Sequence, residues 1–136
     1  MKFSASHRLY NPNFSDEKNE EVFDKCNNLN GHGHNYTLEV TVSGHPDPET
    51  GYVFDLKRLK KILEKEVISK VDHRNLNLDV DFLDGVIPTV ENLAISFWNI
   101  LNEVLGEGRL YRIKLYESDT SFVEYFGEPA VIQKYK

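Results

Sequence analysis

The 136-residue chain is short of several things, and each shortage excludes something. It has one cysteine, one methionine and one tryptophan. A single thiol makes no intrachain disulfide, and no charged n-region with an apolar h-region opens the chain. The expectation is a reduced, cytoplasmic protein. No apolar run approaches the ~20 residues of a bilayer-spanning helix. Basic residues are outnumbered, sixteen Lys and Arg against twenty-two Asp and Glu, for a formal net charge of −6. That balance lacks the positive footprint of a protein that binds duplex nucleic acid or an anionic membrane, and leaves room only for a local basic pocket. Repeats, low-complexity tracts and linkers are missing too. What remains is 40% hydrophobic and 28% charged, a composition and length that predict one domain over residues 1–136 with a real core.

Hydrophobic spacing predicts the elements. Residues 1–9 alternate, with Phe3, Ala5 and His7 on one side, as in a half-buried strand. Residues 10–30 are polar and turn-rich, a loop long enough to be functional or mobile. Residues 32–43 read as a second strand, with Tyr36, Leu38, Val40 and Val42 on one face. Residues 44–51, with two prolines and two glycines, form a turn cluster. Leu56, Leu59, Leu63 and Val67 recur at helical spacing, with Lys57, Lys60, Lys61 and Glu64 outward. Residues 71–86 read as a loop. Pro88 and Thr89 open a second helix striped by Val90, Leu93, Ala94, Phe97, Trp98, Leu101 and Leu105, and Gly106 stops it. Tyr111, Ile113 and Leu115 mark a third strand. Residues 121–126 give a fourth in hairpin distance, and 131–135 a short extended stretch. The order ββααββ predicts an α+β domain, an antiparallel sheet with two helices on one face.

Polar groups on the apolar parity stand out. His32 and His34 share the side of Leu38 and Val40, ~7 Å apart along the strand, a span two ligands close around one metal. His7 lies on the Phe3/Ala5 face, so pairing of the first two strands would converge three imidazoles. Three neutral histidines suit Zn²⁺ and leave a position open for substrate. H-G-H alone also fits two hydrogen-bonded structural histidines. Cys26 is either a small buried hydrophobe or, among polar neighbours, a base or nucleophile. Asp72 and His73 could be a base with its orienting carboxylate or an exposed loop pair. Glu117 continues the parity of Ile113 and Leu115. It either faces solvent beyond the strand or offers a flat heterocycle two parallel hydrogen bonds. Thr89 reads as a helix cap whose hydroxyl could also touch a ligand.

The segments FSASHRLY (3–10), KCNNLNGHGHNY (25–36), VDHRNLN (71–77), PTVENLA (88–94) and YESD (116–119) together resemble the 6-pyruvoyltetrahydropterin synthase family over nearly the whole chain. The resemblance implies a T-fold (tunnelling fold), trimers closing a barrel, and a homohexamer made as a dimer of trimers with active sites at subunit interfaces. It implies one Zn²⁺ per subunit on His7, His32 and His34, with Mg²⁺ accompanying the triphosphate as a further candidate. It also implies Cys26 as the base, Asp72 and His73 as its relay, and Glu117, with Thr89 nearby, as the pterin anchor. The implied activity is a lyase of tetrahydrobiopterin biosynthesis. It turns 7,8-dihydroneopterin triphosphate into 6-pyruvoyl-tetrahydropterin and triphosphate, with Arg8, Lys25 and Arg74 as candidates for a cationic rim. The related 6-carboxy-5,6,7,8-tetrahydropterin synthase usually has C-x3-H-G-H where this chain has C-x5-H-G-H. A non-catalytic T-fold module that binds a pterin or purine is the alternative of another class. The start, two residues before FSASH, is shorter than the family's usual first strand and reads as trimmed.

Overall fold

Alternation at the start of the chain becomes strand β1 (Lys2–His7), whose Phe3, Ala5 and His7 are buried. The structure, a computed structural model, describes residues 1–106, 108–128 and 130–136. After β1 come helix α1 (Asp16–Phe23) with a 3-10 turn (Asp24–Asn27), then strand β2 (His32–Val42). Helix α2 (Leu56–Leu63) runs through a π turn (Glu64–Ile68) into α3 (Ser69–Val71). Strand β3 (Arg74–Asn75), a 3-10 turn (Asp81–Leu83), helix α4 (Val90–Leu105) and strands β4 (Leu110–Tyr116) and β5 (Phe122–Tyr125) follow.

The sheet order is β3-β1-β2-β4-β5. β1–β2, β2–β4 and β4–β5 are antiparallel, as expected, but β3 runs parallel to β1, so the sheet is mixed. The reason is an otherwise open edge. His73 N–H donates to Ser4 O at 2.6 Å and Leu76 N–H to Ser6 O at 2.8 Å, satisfying carbonyls that β1 would leave unpaired. The helices cover one face. Leu59, Leu63, Val67, Leu93, Phe97 and Leu101 pack with Phe3, Tyr36, Leu38, Ile113 and Leu115 in a single core. Phe3 stacks on Tyr36 at 4.7 Å between ring centroids and meets the Phe97 ring edge-on at 6.0 Å.

Four local expectations are corrected. The loop at 10–30 contains α1, capped by Ser15 Oγ, which accepts from Lys18 N–H at 3.2 Å, with Asp16 and Glu17 in the first turn. Its one buried residue is Asn19, so hydrophobic periodicity had nothing to report. Leu56, assigned to the apolar stripe, is exposed because it is the first residue past the Asp55 cap. The π turn then rotates the helix so that Val67, Ile68 and Val71 all face inward. The loop at 71–86 holds β3 and a 3-10 turn, and it buries Leu76, Val80, Leu83 and Val86. Residues 131–135 form no strand, since Tyr135 N–H makes one bond, to Gly85 O, in place of a ladder.

Candidate metal centre and active site

Strand pairing builds the centre. His7 lies directly opposite His32, and Ala5 opposite His34, which sets three imidazoles on the helix-covered face. Their ring centroids are 4.7, 4.8 and 5.0 Å apart, and one ligand nitrogen from each ring lies within 4.8 Å of the others. The backbone entering β2 has to come close for this. Gly31 has φ +72, and a Cβ there would sit 2.9 Å from the carbonyl oxygen of His7. Only glycine takes that conformation without strain.

His7 is wholly buried, and its Nδ1–H donates to the carbonyl of Pro88 at 2.9 Å. That bond fixes the tautomer and turns the Nε2 lone pair toward His32 Nε2, 3.1 Å away. His34 Nε2 is buried without a hydrogen-bond partner, and Glu117 Oε1 stands 3.5 Å from it. Burial, aided by the neighbouring imidazoles and opposed by the Pro88 bond, pushes the His7 ring down to about 4. Burial also lowers His34, against the pull of Glu117. Both rings therefore keep a lone pair at neutral pH. Inward basic nitrogens with one orphaned donor atom fit a divalent metal of zinc's ligand preference.

The other candidate residues fall into two places. Glu117 follows β4, where its N–H donates to Ser121 O at 2.9 Å across the hairpin turn. Its half-buried carboxylate turns toward the histidines rather than to solvent. Thr89 caps α4, its Oγ1 accepting from Asn92 N–H at 3.2 Å, and adjoins Pro88. Cys26 sits half-buried in the 3-10 turn after α1. Its carbonyl accepts from Leu9 N–H at 2.8 Å, which holds the turn beside the end of β1 two residues past His7. Arg8 braces the same turn, donating to Asn27 O and Oδ1 at 3.0 Å each, so its guanidinium is occupied.

Asp72 and His73 are elsewhere. Asp72 Oδ1 accepts from Ser4 N–H at 2.9 Å and lies 3.0 Å from His73 Nδ1. The Ser4 N–H, then His73, hold the Asp72 carboxyl below the usual carboxylate range. His73 takes a left-handed backbone (φ 59), which folds its ring back on its neighbour and leaves it 83% exposed. Among the described residues neither side chain meets the imidazole cluster. The ring opens on a cavity of about 530 Å³ at the sheet's edge, lined by Ser4, Ser6, Asn35 and Arg74 and also by His34 of the cluster.

Two partners escaped sequence reading. The Pro88 carbonyl leaves no side-chain signal. Tyr36, buried with its hydroxyl 3.4 Å from His7 Nδ1, was legible as the next residue on the parity of His32 and His34.

A mixed sheet carrying an inward three-histidine cluster, with two helices on one side, defines a T-fold protein with a candidate metal centre. Residues 1–128 match the family model described as 6-pyruvoyl tetrahydropterin synthase, and the chain belongs to that family. It is 50% identical over 128 residues to the 6-pyruvoyl tetrahydrobiopterin synthase of Homo sapiens, covering 94% of this chain and 88% of that one. The enzyme of the same name from Poecilia reticulata is 47% identical, with 94% and 87% covered. The solved structure of Caenorhabditis elegans 6-pyruvoyl tetrahydropterin synthase superposes with a TM-score of 0.88 at 43% identity, covering 94% of this chain and 91% of that one.

Proposed function

We propose that this single-domain chain is a zinc-dependent 6-pyruvoyltetrahydropterin synthase, a lyase that converts 7,8-dihydroneopterin triphosphate into 6-pyruvoyl-tetrahydropterin and triphosphate. One observation carries the reading. The unpartnered Nε2 of His34 lies within 3.5 Å of the Glu117 carboxylate, which places a metal ligand and a ring anchor side by side. Zinc held by His7, His32 and His34 would supply Lewis-acid polarisation of the substrate's side-chain hydroxyls and the C–H bonds beside them.

The chain's own residues do the rest. Pro88 holds the His7 ring in orientation. Glu117 accepts two parallel hydrogen bonds from an N–H and the amino group of the pterin, fixing its edge and distance. Cys26 takes the proton released from the side chain. Asp72 holds His73 by Nδ1, leaving Nε2 to pass that proton on. Ring reduction balances side-chain oxidation, so no external redox cofactor enters, and triphosphate departs by elimination. Cys26 and the Asp72–His73 pair occupy different parts of one chain. In this reading the relay closes between copies, in a homohexamer built as a dimer of trimers. A lone half-buried thiol is suited to a reducing compartment such as the cytoplasm. Among the described residues no helix is long and apolar enough to cross a membrane.

The test incubates zinc-loaded protein with dihydroneopterin triphosphate and follows products by mass. Triphosphate with an intact three-carbon side chain is expected. Cys26→Ala should lose ~10²–10⁴-fold in turnover, the usual worth of a positioned base, while keeping its zinc. A carboxy-tetrahydropterin with acetaldehyde would move the chain to the carboxy branch, and binding without turnover would make it a pterin-binding module.

A further inference from the structure

The family match stops at residue 128, yet the segment beyond it is joined to both loops that frame the site. Tyr135 uses its two backbone groups in opposite directions. Its N–H donates to Gly85 O at 2.9 Å, and its carbonyl accepts from Asn13 Nδ2 at 3.2 Å. Lys136 Nζ adds a 2.6 Å contact to Asp84 Oδ1, though both groups are exposed and such a pair contributes little. Ile132 packs on the core.

Each attachment point leads to the site by short steps. From Asn13, the turn at Asn11 is locked to α1 through buried Asn19: Asn11 N–H donates to its Oδ1 at 2.8 Å, and its Nδ2 returns a bond to Asn11 O at 3.0 Å. Helix α1 runs directly into the turn that carries Cys26. From Gly85, three residues reach Pro88, whose carbonyl orients His7. Ile87 O is held there by Thr89 N–H at 2.8 Å and Asn92 Nδ2 at 2.9 Å.

We propose that residues 130–136 are a positioning strap, with Tyr135 as its staple, that fixes the loop bearing Cys26 against the turn whose Pro88 carbonyl orients His7. The strap touches no reacting atom and acts through those two loops. The part concerning His7 rests on the metal-centre reading above. The part concerning loop coupling does not.

The test is Asn13→Ala in the full chain, read by amide hydrogen exchange and by zinc affinity in competition with a chromophoric chelator. The variant removes the side-chain donor at one end of the strap. Faster exchange is expected at the other end, in residues 84–89, as well as in 11–27. Zinc affinity is expected to fall by up to about tenfold, the low end of losing an outer-shell partner. Asn13→Gln, which keeps an amide donor, should restore both. A chain ending at Glu128 should exchange faster in both segments, the larger effect of the two variants. Exchange that rises only in residues 11–14, with 84–89 unchanged, overturns the strap. Coupled exchange with unchanged zinc affinity overturns its link to His7. Absence of zinc binding by the parent chain is the failure of the metal-centre reading instead, and leaves the exchange result to judge the strap.

Discussion

Lowering the pH of the metal-free protein should destabilise it through His7 in a window the structure defines. The ring is wholly buried and its pKa falls from the ordinary 6.5 to about 4 in the folded chain. The unfolded chain binds a proton at His7 below about 6.5 and the folded chain does not until about 4. Stability from this group is therefore complete above 6.5, is lost progressively as pH falls, and levels off below 4. At ~1.36 kcal/mol per pKa unit the loss is roughly 3 kcal/mol, a large part of a small domain's stability. His34, also lowered by burial, acts in the same direction. Urea unfolding in chelator at half-unit steps from pH 7.5 to 4 measures the slope. His7→Asn, whose amide can still donate to Pro88, removes the titrating group and should flatten the curve across that window. Equal slopes for the parent and His7→Asn would refute the reasoning.

Three further outcomes follow from the geometry. Gly31→Ala forces a left-handed alanine, about 1–2 kcal/mol, against a backbone oxygen 2.9 Å away. Both urea midpoint and zinc affinity should fall, and a change in stability alone would mean that β2's approach does not set the His7–His32 pair. Phe97→Ala empties a fully buried ring site against Phe3 and Phe82 and should cost about 3–5 kcal/mol by thermal or urea unfolding. Glu117→Gln should leave zinc binding intact but abolish tight pterin binding by calorimetry, because the amide cannot accept two parallel bonds; retained affinity would remove Glu117 from the ring-anchor role.

Much of the site was legible because strand periodicity is strict. A two-residue repeat carries His32 and His34 to the face of Tyr36 and Leu38, and the same rule places His7 beside Phe3 and Ala5. α4 was legible from its stripe, its Thr89 cap and its Gly106 stop. α1 was not, because a helix that buries only a hydrogen-bonded asparagine has no apolar rhythm. β3 was not either, since two residues are recruited by the open edge of β1 rather than by their own propensity.

By itself the sequence determined the core faces, the inward parity of three histidines and the motif set of the family, since these depend on local period and residue identity. Tertiary structure alone decided that Pro88 offers its carbonyl to His7, that Glu117 turns inward beside His34, and that Asp72 and His73 lie at the sheet edge by Ser4. Those contacts join residues 68 to 83 apart in the chain, two of them through a backbone group, and no short-range pattern encodes where a carbonyl will point.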